Sequence, residues 1–75
     1  MPKVRIHNVD DQIVHSIECY DYITGSQIRE EVSKVLETSY LTFTLPLKHR
    51  VLHSTDRITP IDKVKVYYQS WCSIL

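Results

Sequence analysis

The chain has 75 residues, and nine acidic side chains balance nine basic ones to a formal net charge of zero. A domain of this length buries only about 60% of its unfolded surface, which leaves a small core and no room for a deep catalytic cleft. Zero net charge argues against a general nucleic-acid binder, ordinary apolar content argues against disorder, and no apolar run reaches the length of a membrane span.

Residues 3–9 alternate, with Val4 and Ile6 to one side and Lys3, Arg5 and His7 to the other. That is the pattern of a half-buried strand. Asp10 and Asp11 mark a turn, and residues 12–20 form a second strand. A two-residue turn there sets Val4 opposite Ile17, Ile6 opposite His15, Arg5 opposite Ser16 and Lys3 opposite Glu18. It places Ile13, Ile17 and Cys19 on the face of Val4 and Ile6, and makes Lys3 and Glu18 a cross-strand charge pair. The same register drops His15 onto the inner face and gives a two-residue turn no glycine. A longer turn or a bulge near Val14 repairs both.

Residues 24–37 are the one strong helix. Ile28, Val32, Val35 and Leu36 form an apolar stripe, with Arg29, Glu30, Glu31, Ser33, Lys34 and Glu37 away from it. Thr24 and Gln27 have the spacing of a capping box, and Glu30 and Lys34 that of a favourable i,i+4 pair. So short a helix is marginal alone and needs a surface to cover. Residues 40–45 form a third strand with Leu41, Phe43 and Leu45 inward, ended by Pro46. Residues 49–52 form a short fourth strand, and 54–60 a loop. Residues 63–68 form the last strand, with Val64, Val66 and Tyr68 inward and Lys63, Lys65 and Tyr67 outward. The order predicts an α+β fold, a mixed four- to five-stranded sheet with one helix packed across it. It occupies one domain over residues 1–69, followed by a tail over 70–75.

This order and length resemble the ubiquitin-like β-grasp superfamily. The resemblance is carried by the alternating first strand, by Thr24 opening a helix with Ile28 and Val32 inside, and by the strand Leu41, Thr42, Phe43, Thr44, Leu45. An acidic turn at Asp62 before the last strand completes it. Conjugated modifiers and sulfur carriers of the superfamily end in Gly-Gly, whereas the single glycine here is Gly25 and the sequence closes on Ser73, Ile74, Leu75. Val66, Tyr67, Tyr68 and Gln69 resemble the double tyrosine and glutamine that end a non-conjugated, splicing-linked family. The membrane-anchored ubiquitin-fold family ends in a prenylation box, which Cys72, Ser73, Ile74 and Leu75 match, with leucine favouring a geranylgeranyl group. One lipid gives only weak, reversible membrane binding.

In a β-grasp sheet the first and last strands are neighbours. Lys3, Arg5, His7, Lys63, Lys65 and Tyr67 are therefore expected on one outer face, a cationic stripe beside an aromatic ring. Ubiquitin-fold modules of similar arrangement bind acidic protein surfaces. The expected function is thus a non-enzymatic protein-interaction module docking an acidic protein or peptide. The alternative is a membrane-tethered ubiquitin-fold protein prenylated at Cys72. The bland reading of the stripe is a solvated face whose lysines discourage edge pairing. Thr42 and Thr44 stand where ubiquitin receptors read aliphatic side chains, so recognition by ubiquitin-binding helices is not expected. His49 and His53 have metal-like i,i+4 spacing, but no helix or third ligand supports it. The carboxylate pairs at Asp10 and Asp11, and at Glu30 and Glu31, point apart rather than at one substrate. No cofactor, metal or nucleic acid is expected. Two cysteines, Cys19 and Cys72, are too few for a disulfide scaffold, and residues 1–6 do not resemble a signal peptide. A cytoplasmic monomer follows, nuclear or membrane-associated only in the variants above.

Overall fold

The computed structural model describes residues 2–68. The chain starts with a hairpin. β1 (Lys3–His7) and β2 (Ile13–Glu18) are antiparallel, and Lys3–Glu18, Val4–Ile17, Arg5–Ser16 and Ile6–His15 stand opposite one another as expected. The register then slips. His7 pairs with Ile13, which leaves Val14 as the extra residue of a β-bulge.

Asn8 is the cause. Its N–H donates to the Gln12 carbonyl at 2.9 Å, and its own carbonyl accepts from the Asp11 N–H at 3.1 Å. Its side-chain Oδ1 accepts from the Asp10 and Gln12 N–H groups at 2.9 and 3.0 Å. Three residues, Val9, Asp10 and Asp11, therefore make the loop, not the two acids alone. Asp11 takes the left-handed conformation, φ 61°, that ends such three-residue loops. The slip moves Ile13 outward, where 54% of it is exposed, and Val14 packs against the core in its place.

β3 (Ile23–Thr24) leads into α1 (Gly25–Leu36). The capping box is present: the Gln27 N–H reaches Thr24 Oγ1, and the Thr24 N–H reaches Gln27 Oε1 at 2.9 Å. The two donors before Gln27 are satisfied by a distant loop. The Gly25 N–H binds the Asp56 carbonyl at 3.0 Å and the Ser26 N–H the Ser54 carbonyl at 3.1 Å. The approach is so close that a Cβ on Gly25 would lie 2.0 Å from the His53 carbonyl oxygen. Glycine is required here for want of space. Glu37, φ 56°, caps the other end, its N–H bonding to the Ser33 carbonyl.

β4 (Leu41–Leu45) runs into a 3-10 turn at Pro46–Lys48, then β5 (Arg50–Val51), β6 (Arg57–Ile58) and β7 (Val64–Tyr68). The main sheet has the order β2-β1-β7-β4-β5, while β3 and β6 pair separately. β1 and β7 are parallel, with Ile6 beside Val64 and His7 beside Lys65. The other pairs are antiparallel. One helix across a mixed sheet with a parallel central pair is a β-grasp-like α+β arrangement. Ile28 and Val32 are fully enclosed with Val4, Ile6, Phe43 and Val66, and Ile17 packs against this cluster.

Other details depart from expectation. Val35 is 45% exposed and Leu36 only half-buried, so the helix buries its stripe mainly through Ile28 and Val32. Tyr68, expected inward, is 63% exposed at the end of β7. The loop expected over 54–60 contains β6, and Ile58, fully enclosed, is a core residue. The tail expected over 70–75, including Trp71 and Cys72, lies outside the described residues.

Candidate functional site

The expected site is the outer face of the sheet. On β1, Lys3 and Arg5 are exposed and His7 is half-buried. Lys65 lies beside His7 in the parallel register, and Tyr67 stands opposite Thr42 on β4. These residues alternate with the enclosed Val4, Ile6, Val64 and Val66, so they point away from the helix. The sheet spreads them out, however. Lys3 is four residues before His7, and Tyr67 two beyond its neighbour Lys65. At a rise of about 3.3 Å per residue, Lys3 and Tyr67 are about 20 Å apart along the strands.

Two of the cations meet on one atom. Lys63 Nζ lies 3.0 Å and Lys65 Nζ 3.2 Å from Oδ1 of Asp11. The hairpin loop thus brings its own acid to the stripe. Hydrogen bonds from Lys63 and then Lys65 hold the Asp11 carboxyl below its ordinary value. Among the described residues, no ion pair engages Lys3 or Arg5. His7 Nδ1 is enclosed and has no hydrogen-bond partner there, and nothing in the structure explains it.

A cleft of about 420 Å³ opens at the β4–β5 end, lined by Thr44, Leu45, Pro46, His49, Arg50, Val51 and Tyr67. Val51 faces Thr44 across the strands and is 49% exposed. Of these, the sequence pattern picks out only Tyr67. For the rest, the strand-ending Pro46 and the basic pair at His49 and Arg50 were the signals available. Arg50 is already engaged: its guanidinium grips Asp56 at 2.6 and 2.9 Å, and Asp56 also accepts the His53 N–H at 2.7 Å. The fork from Arg50, then the His53 N–H, lower the Asp56 pKa to about 2, and Asp56 in turn raises that of Arg50. His49 follows the 3-10 turn with φ 53°, so the i,i+4 spacing of His49 and His53 places no helical pair of ligands. Among the described residues no helix is long and apolar enough to cross a membrane.

The face can therefore offer positive charge at Lys3 and Arg5, a two-lysine carboxylate site filled by Asp11, and a shallow cleft beside Tyr67. Comparison with known proteins finds no family model that matches the chain and no curated relative that matches it.

Proposed function

We propose that the chain is a ubiquitin-like, non-enzymatic interaction module that docks an acidic protein or peptide through the outer face of its sheet. The β-grasp-like arrangement supports the kinship. The convergence of Lys63 and Lys65 on a single oxygen of Asp11 carries the functional reading. Two ammonium groups held about one carboxylate oxygen make a carboxylate site. In the free chain its occupant is Asp11, itself 58% exposed at the side chain on a turn. An aspartate or glutamate of a partner takes the same place by exchange, and Lys3 and Arg5 extend the contact along β1. The exchange swaps one carboxylate for another, so the part-buried Lys63 and Lys65 ammonium groups keep a partner throughout. The remaining cations act through steering, over about 8–10 Å at moderate salt. His7 and Tyr67 flank Lys65 on the same face.

The test is capture of partners from the native lysate by the wild type, by Lys3→Glu/Lys65→Glu and by Asp11→Asn. Circular dichroism confirms that each variant is folded. The double variant loses the partner, rising salt weakens capture, and Asp11→Asn strengthens it by removing the internal competitor. Equal capture of the same proteins by all three returns the stripe to a solvated face.

A second reading rests on the match of Cys72, Ser73, Ile74 and Leu75 to a prenylation box. In a cell with a prenyltransferase, Cys72 carries a C20 thioether and loses the last three residues. An unmodified mass, and equal soluble partitioning of wild type and Cys72→Ser, exclude it.

A further inference from the structure

β2 is an edge strand of the main sheet. The Cys19 N–H donates to the Pro2 carbonyl at 3.1 Å, so in the antiparallel ladder after the bulge His15, Ile17 and Cys19 bond toward β1. Ser16 and Glu18 then direct their N–H and C=O groups away from the sheet. Next to this open edge, between β2 and α1, lies a groove of about 300 Å³ lined by Ile17, Glu18, Ile23, Gln27, Glu30 and Glu31. Its apolar side is Ile17 and Ile23, and its charged side is the carboxylates of Glu30 and Glu31 on α1, while Glu18 borders it from the strand edge with its side chain on the face of Lys3. Lys34 lies 3.5 Å from Glu30, with both side chains about 70% exposed, which makes a weak pair. His15 lies 3.7 Å from Glu31, and Lys3 stands opposite Glu18 from β1. At neutral pH the groove itself is negative.

We infer that this groove is a second docking site, which takes an extended segment of a partner protein as a sixth strand on β2. The segment carries lysine or arginine beside apolar side chains. The open backbone groups of Ser16 and Glu18 supply the ladder, Ile17 and Ile23 receive apolar side chains, and Glu30 and Glu31 select the basic ones. A second copy of this chain is the wrong occupant. Pairing β2 with itself brings both sets of carboxylates together. The sign is opposite to that of the outer face, so one module can hold an acidic partner on its face and a basic strand at its edge. This site does not depend on the outer-face reading.

The test uses the full chain and two fluorescent peptides, one alternating lysine and valine, the other glutamate and valine. The lysine peptide binds and shifts the amide resonances of Ser16, Glu18, Gln27 and Glu31, and the glutamate peptide does not. Glu30→Lys/Glu31→Lys weakens the lysine peptide at least tenfold. Ser16→Pro, which removes an outward N–H at a position edge strands tolerate, weakens it severalfold. Four results overturn the inference: equal affinity for both peptides, no binding of the lysine peptide at millimolar concentration, shifts confined to Thr42, Thr44 and Tyr67, or sedimentation as a dimer through β2. If a variant loses its fold, the shift map of the wild type decides.

Discussion

At one edge of the sheet β5 contributes only Arg50 and Val51, and the chain passes at once into a loop fastened at many points. Leu52 bonds back to Phe43, Asp56 is gripped by Arg50 and by the His53 N–H, and the carbonyls of Ser54 and Asp56 cap the helix. At the other edge β2 runs six residues, Ile13–Glu18, with half of its backbone groups turned outward. A long unpaired edge invites association, and proteins blunt such edges with bulges and charge. The bulge at Val14 and the carboxylate of Glu18 do that here without closing the strand. The short edge gives way after two residues to a loop fastened to β4 and α1, whereas the long edge keeps its hydrogen-bonding capacity and guards it by electrostatics. The first arrangement stabilises the fold, and the second leaves a surface on which selection by charge can act.

The sharpest way to break the fastened loop is Gly25→Ala. A methyl group 2.0 Å from the His53 oxygen forces the loop off the helix and removes both capping bonds. A loss of about 4 kcal/mol is expected, above the usual overpacking range because backbone must move. For a domain of this size that is a large part of its total stability. Urea unfolding reads it, and an unchanged midpoint would show that the loop is not fastened there. Ile58→Ala comes next. Ile58 is fully enclosed and pairs with Ile23 in the small sheet, so its truncation should cost about 3 kcal/mol through lost burial and a residual cavity.

Asp56→Asn acts more gently on the same loop, and its effect depends on pH. The carboxyl titrates near 2 in the folded protein against an ordinary 3.8. A depressed pKa contributes stability that is complete above the ordinary value and is lost as pH falls through the folded one. Wild type should therefore be more stable than Asp56→Asn at pH 7, and the gap should narrow as pH falls from about 5 and close at about pH 1, below the folded pKa. A gap that keeps its neutral-pH size down to about pH 2 assigns the effect to something other than the carboxylate.

Most of the core follows from local pattern. Ile28 and Val32 on one helical stripe, and the alternation of Val4 with Ile6 and of Leu41, Phe43 and Leu45, need only a period of 3.6 or 2 to be read. The loop over residues 52–58 has no such period. Strands of two residues carry no alternation, and the burial of Ile58 depends on where Ile23 lies, far away in sequence. Gly25 looks like an ordinary helix-start glycine until the His53 carbonyl is placed against it. The candidate site divides in the same way. Alternation puts Lys3, Arg5, Lys65 and Tyr67 on the outer face, but the meeting of Lys63 and Lys65 at Asp11 depends on the parallel register of β1 and β7 and on the loop geometry set by Asn8. Asn8 at the start of a turn was a visible signal for that loop, outweighed by the more obvious acidic pair after it.

The open edge is sharpened by the smallest perturbation, a pair of substitutions one residue apart. With the two-residue turn, Ile13 would lie on the core side and Val14 on the solvent side. With the bulge, the roles are exchanged: Ile13 is 54% exposed and Val14 packs against the core. Threonine has good strand propensity and is close to valine in shape, so each replacement changes mainly the burial of apolar surface. Val14→Thr should cost about 1 kcal/mol, because a half-buried side chain loses a methyl contact and gains a hydroxyl to satisfy. Ile13→Thr should stay within about 0.5 kcal/mol, as exposed substitutions do. Denaturant titration of the two variants under identical conditions resolves the difference. The reverse order, with Ile13→Thr the costlier, would place Ile13 in the core, remove the slip at His7, and with it the device that ends β2 as an open but guarded strand.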